Sequence, residues 1–265
     1  MPVTSEERYA TAAISHGERP VRLGTFLFTL VDPHAGNEVA YNRWYERDHF
    51  YSGCMAGPHT LAGNRYVATR ACKDVRFGSK SDLAAGSYLA LYWIEDGYHD
   101  AWNSWAVERV HALHAAGRMF AARDHVETGF YKYEAEITAP GSSMPIELAL
   151  DRSYAGISVF MVETDRSASC ADVVAKLGEM NYPGEITVIG SPVPFDDRSP
   201  ADIAATGMET LAIVSFSPDN PLATWDDASR PLGNAIEEAG IGRIRLASPF
   251  LATEFGTDRY ADELF

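Results

Sequence analysis

The alternation of apolar and polar positions runs through the same order of elements twice. Residues 21–31 (VRLGTFLFTLV) are rich in β-branched and aromatic side chains and stop at the turn formers Asp32, Pro33, Gly36 and Asn37, which predicts a strand and then a loop. A helix is predicted from Glu38 to about Tyr51, capped by Asn37 and ended by the stretch Gly53 to Pro58. On it Tyr41, Trp44, Tyr45, Asp48 and Ser52 fall on one stripe, with His49 at the edge. Strands follow at 63–70 and 87–94, then a helix at 98–116 with Gly117 as its stop, then a strand at 124–136. The order is βαββαβ, a ferredoxin-like unit.

Residues 138–153 hold Pro140, Gly141, Ser142, Ser143 and Pro145 and read as a linker, although apolar residues 146–150 must pack somewhere. The order then returns. Strands are predicted at 156–163, 185–190, 209–216 and 242–252, with helices at 169–180 and 224–239, the second interrupted by Pro231. The chain therefore divides into a leader (1–20), a first repeat (21–137), the linker (138–153) and a second repeat (154–265). A lone βαββαβ sheet leaves one apolar face bare. Two tandem copies packed sheet to sheet cover each other, which predicts an α+β barrel with a cavity between the sheets.

Composition narrows the functional classes. A chain of 265 residues with 46% hydrophobic content buries a substantial core. The net charge of -15 repels phosphate backbones and anionic lipid, so neither nucleic acid nor membrane is an expected partner. Cys54, Cys72 and Cys170 form no CxxC pair, which fits a reducing compartment, and a cytoplasmic location is expected. All eight histidines lie between His16 and His125, and four of the five tryptophans lie in the same half, so chemistry belongs to the first repeat and the second serves as wall.

The segment Asn42-Arg43-Trp44-Tyr45-Glu46-Arg47-Asp48-His49-Phe50 resembles the Trp-Tyr-x-x-x-His region of the dimeric α+β barrel superfamily, especially EthD-like proteins and small cofactor-independent lyases, cyclases and isomerases. Gly63 to Tyr66 stands where that family's second strand lies. Most relatives are single-repeat dimers, and many carry a proline where this chain has Phe50 and Tyr51. The resemblance implies a proton-transferring histidine at the end of the first helix, which selects His49, and a setting in aromatic-compound catabolism.

Chemistry supports the same residue independently, because a neutral imidazole both takes and returns a proton near neutral pH. Tyr45, one turn earlier, orients the ring or stabilises an oxyanion, whereas Asp48 stands about 100° away around the helix. Alternation on the fourth strand sets His125, Glu127, Tyr131 and Tyr133 on one side, and which side faces the cavity stays open. Candidate substrate contacts are Tyr41, Trp44, Arg65, Tyr88, His125 and Tyr131, with Arg65 suited to a carboxylate. His111 and His114 are spaced for joint ligation, but no HExxH motif or cysteine pair accompanies them, and there is no P-loop, GxGxxG or GxSxG. No metal or cofactor is expected. The sequence thus points to a cofactor-independent lyase or isomerase acting on a hydrophobic, aromatic small molecule. The alternatives are a noncatalytic EthD-like binding or accessory protein, or a haem or metal enzyme, and a homodimer stays open.

Overall fold

The computed structural model describes residues 21–79, 81–165, 169–194 and 209–265, so the leader expected at 1–20 lies outside the described residues. Eight strands close one antiparallel barrel: β1 (Leu23–Pro33), β2 (Thr60–Val67), β3 (Tyr88–Glu95), β4 (Arg123–Thr138), β5 (Gly156–Thr164), β6 (Ile186–Val193), β7 (Thr210–Ser217) and β8 (Gly242–Ala252). The order around it is β1-β3-β2-β8-β5-β7-β6-β4. Strands from the first half of the chain thus sit together as β4-β1-β3-β2, and those from the second half as β8-β5-β7-β6. Closure comes at two seams. The β4–β6 ladder runs from Phe130 to Thr138, whereas β2 and β8 pair only at Tyr66 and Val67.

Helices cover the outside. α1 (Glu38–Trp44) continues without a break as a π-helix, Tyr45–Met55; α2 (Arg70–Asp74) is a single turn; α3 (His99–Ala115) is the long helix of the first half. α4 (Cys170–Leu177) and α5 (Arg230–Glu238) cover the second half. Pro231 stands where the π-helix Trp225–Ser229 gives way to α5, so the segment expected to be interrupted there changes from π to α geometry instead.

Period-two alternation decides what fills the lumen. Phe26 meets Trp93 edge-on at 5.4 Å and stacks on Tyr131 at 5.3 Å, Trp93 reaches Phe216 on β7 at 6.1 Å, and Phe216 reaches Tyr66 on β2 at 6.4 Å. All are buried. The segment between the halves closes the packing: the Trp93 indole donates to the Ile146 carbonyl at 2.9 Å, and Ile146, Ala149 and Leu150 are buried. The cavity expected between the sheets is therefore absent from this aromatic stack, because large side chains from both halves meet there. Each such ring removes roughly 150–250 Å² from water, which makes the lumen a main source of stability.

Candidate active site between sheet and helices

The outer face of β1 and β4 carries a cavity instead, roofed by α1, the π-helix and α3. The space inside it that the centre of a water-sized molecule can reach is about 100 Å³. Its walls are mostly apolar, including Leu27, Trp44, Trp102, Val110 and Phe130, and its polar groups are few, chiefly His49, Arg123, His125, Thr29 and Thr128.

His49 reaches this cavity because the helix widens. In a π-helix residues five apart stack over each other, and the His49 ring lies on Trp44 at 4.7 Å and 20°. Tyr45 meets it edge-on at 5.2 Å. Room for the imidazole comes from Gly53: a β-carbon there would stand 2.7 Å from both Nδ1 and Cε1. Nδ1 is buried with no hydrogen-bond partner among the described residues. Burial, and then the positive charge of Arg123 and neighbouring His125, push the imidazole pKa down to about 3, so the ring is neutral across the physiological range. Asp48 opposes this shift only in part. Its carboxylate is held below the usual range by the Arg118 guanidinium and also accepts from the Ser52 hydroxyl at 2.9 Å.

A register shift between Leu30 and Val31, where β1 pairs with β4, places the second histidine. Simple alternation puts His125 on the side of Glu127 and Tyr131. The bulge breaks that rule: His125 lines the cavity beside Thr128 and Phe130, while Tyr131 faces the lumen against Phe26. Arg123 lies 3.3 Å from His125 Nε2, and a guanidinium can only donate, so that nitrogen accepts. The ring proton then sits on Nδ1 and is donated to the Thr128 hydroxyl at 3.4 Å, which in turn lies 3.1 Å from the Thr29 hydroxyl. This chain fixes the tautomer and aims the guanidinium, whose carbon stands 5.4 Å from the Trp44 ring centroid.

Tyr45 lines the same cavity, and its hydroxyl is 2.8 Å from that of Tyr92, which ties it to β3; burial holds its pKa well above the ordinary phenol value. Tyr41 borders the cavity within a ring cluster of Trp44, Tyr45, Tyr88 and Phe120, and burial raises its pKa to about 12. Arg65 is fully buried away from the cavity. It donates to Asn42 at 3.0 Å and pairs with Glu46 at 3.3 Å, with its guanidinium 4.3 Å from the Tyr45 ring and 4.9 Å from that of Tyr88. A substrate carboxylate has no access to it, because Glu46 of the π-helix already supplies the acid. Tyr88 is enclosed in the same cluster, and burial raises its phenol pKa. The C-terminal residues brace this arrangement: Asn42 donates to the Thr257 carbonyl at 2.8 Å, and the Gly256 amide donates to Glu46 at 2.9 Å.

Sequence reasoning missed Arg123, Gly53 and Trp102. Arg123 had a usable signal, being two residues before His125 at the start of a strand. His114 lines the cavity and His111 lies on the exposed side of the same helix; among the described residues no three His, Cys, Asp or Glu side chains cluster as a metal site. Among the described residues no helix is long and apolar enough to cross a membrane.

No protein-family model and no curated protein sequence matches the chain. Solved structures do. A candidate chlorite dismutase superposes with a TM-score of 0.53 at 12% identity, covering 92% of this chain and 100% of that one. An anthrone oxidase-like protein superposes with a TM-score of 0.54 at 10% identity, covering 90% and 98%. At such identity the likeness is one of fold alone.

Proposed function

We propose that the protein is a proton-transfer enzyme, a lyase or isomerase working without a cofactor on a hydrophobic aromatic metabolite. We read the chain as two tandem ferredoxin-like repeats of which only the first is reactive, a reading supported by the matching strand orders β4-β1-β3-β2 and β8-β5-β7-β6. The observation that carries the chemistry is a neutral, largely buried imidazole beside an arginine in an apolar cavity.

His49 takes a proton from a carbon acid next to a carbonyl, and Arg123, aimed by His125, stabilises the oxygen that becomes negative. His49 is a weak base because burial, and after it Arg123, disfavours its cation. As the oxyanion develops it cancels that positive potential, so imidazole basicity rises along the reaction coordinate. Returning the proton to another atom isomerises the substrate. Loss of a leaving group from the enolate is an elimination.

Anthrone is a suitable probe, because removal of a proton from its methylene gives an aromatic enolate. Exchange of that methylene in D₂O, followed by NMR, is expected to be faster with the protein than without it. His49→Gln is expected to reduce the catalysed exchange roughly 10²- to 10⁴-fold. Equal exchange by wild type and variant overturns the assignment. The low basicity of His49 also favours a second reading, a noncatalytic protein that holds such a molecule, for which anthrone binds without accelerated exchange.

A further inference from the structure

Several arginines of this acidic chain are paired with carboxylates, and others such as Arg76 and Arg109 donate to backbone carbonyls. Arg43 pairs with Asp258, Arg118 with Asp48, Arg152 with Glu185 and Arg245 with Glu127. Among the described residues Arg123 has no carboxylate partner: its side chain meets the His125 imidazole and the face of Trp44. Asp124, next in sequence, is exposed at the rim and lies 3.2 Å from His34. A guanidinium lining an apolar cavity has lost part of its hydration, and a neutral imidazole acceptor returns only a fraction of it. Trp44 carries both Arg123 and His49 on its ring, the guanidinium carbon 5.4 Å and the imidazole centroid 4.7 Å from the indole centroid.

We propose that the cavity takes an aromatic ligand that is already anionic when it binds, with its ionised oxygen on Arg123 and its rings among Trp102, Val110 and Phe130. The recognised chemistry is an oxyanion, a carboxylate or a phenolate, on a planar apolar body. The inference rests on the reading of this cavity as the binding site, but it does not require turnover. A carboxylate matches the planar guanidinium face; a phenolate offers one oxygen to the same donors.

The test uses three probes of similar size: 2-naphthoate, 2,4-dinitro-1-naphtholate (ionised at neutral pH) and the neutral 2-naphthamide. Their affinities are measured by calorimetry at low salt. At least one anion is expected to bind roughly tenfold or more tighter than 2-naphthamide, and the better anion identifies the oxygen type. R123Q is expected to bring all three within about threefold of each other, and its urea unfolding transition shows that the variant folds. R123K keeps charge without the planar fork and is expected to hold an intermediate preference, providing a second reading should R123Q be unstable. H49Q is expected to keep the anion preference even where proton exchange is lost, so failure of the catalytic reading and failure of this one are distinguishable. Equal affinities in wild type, or an anion preference that survives R123Q, overturns the proposal.

Discussion

The two halves of the barrel use the same strand order and treat the space between sheet and helices in opposite ways. Beneath α4 and α5, Phe160, Ile189 and Ile213 of the sheet meet Val173, Leu177, Leu232 and Ile236 of the helices in a continuous apolar core. Trp225 completes it, stacked on Phe160 at 6.2 Å with its indole donating to the Val75 carbonyl at 2.9 Å. Beneath α1 and α3 the corresponding layer keeps a cavity, and its lining includes two threonines, an arginine and histidines. Holding a void and a desolvated imidazole costs stability. The filled lumen and the filled second layer offset that cost, which leaves the first layer free to carry chemistry.

The largest effect that tests this division is in the filled half. Trp225→Ala removes a fully buried ring and its hydrogen bond, and is expected to lower the unfolding free energy by about 3–5 kcal/mol in urea titrations. Anion affinity of the folded variant is expected to stay at the wild-type value. Loss of affinity without loss of stability breaks the comparison, because it makes the second half part of the site.

Much of this division is legible in the residues. The strands are recovered within a few positions because alternation and turn formers mark them, and the confinement of histidine to one half marks the side that holds the cavity. What the sequence hides is register and width. A single bulge between Leu30 and Val31 sends His125 to the cavity and leaves Tyr131 in the lumen, and no local composition signals it. The helix predicted from Glu38 is recovered, but its change to π geometry at Tyr45, which stacks Trp44 on His49, is invisible to a 3.6-residue pattern. Arg65 reads as a carboxylate binder until Glu46, nineteen residues earlier, is seen to occupy it. Lumen and helix-facing layer are equally apolar in sequence, so the cavity is expected in the wrong one.

A second, smaller effect comes from pH. The His49 pKa is about 3 in the folded protein and near 6.5 in the unfolded chain, so between these values the unfolded chain binds a proton that the native state does not. Stability is therefore complete above about pH 6.5 and falls as pH drops toward 3. The groups that set the shift are Arg123 and His125, which lower it after burial does, with Asp48 opposing. His99 is also shifted down by burial, so the informative quantity is a difference between proteins. Between pH 7 and pH 5 the wild type is expected to lose about 1–2 kcal/mol more than His49→Gln in paired urea titrations. Parallel pH profiles for the two proteins place the ring in solvent and remove the contrast with the dry second half.

The smallest effect isolates the geometry of the reactive half from its chemistry. Gly53→Ala replaces a poor helix former with the best one, a gain of roughly 0.5–1 kcal/mol. The new β-carbon meets the His49 ring at 2.7 Å, so the ring must swing off its stack on Trp44. These opposing terms leave the melting temperature nearly unchanged. Catalysed exchange of anthrone is expected to fall about tenfold, since a misplacement of about 1 Å is costly to proton transfer. Because Arg123 is on β4, outside the π-helix, the variant is expected to keep its preference for anionic probes. Wild-type exchange in Gly53→Ala means that the imidazole need not lie against Trp44, and the widened helix then has no catalytic purpose.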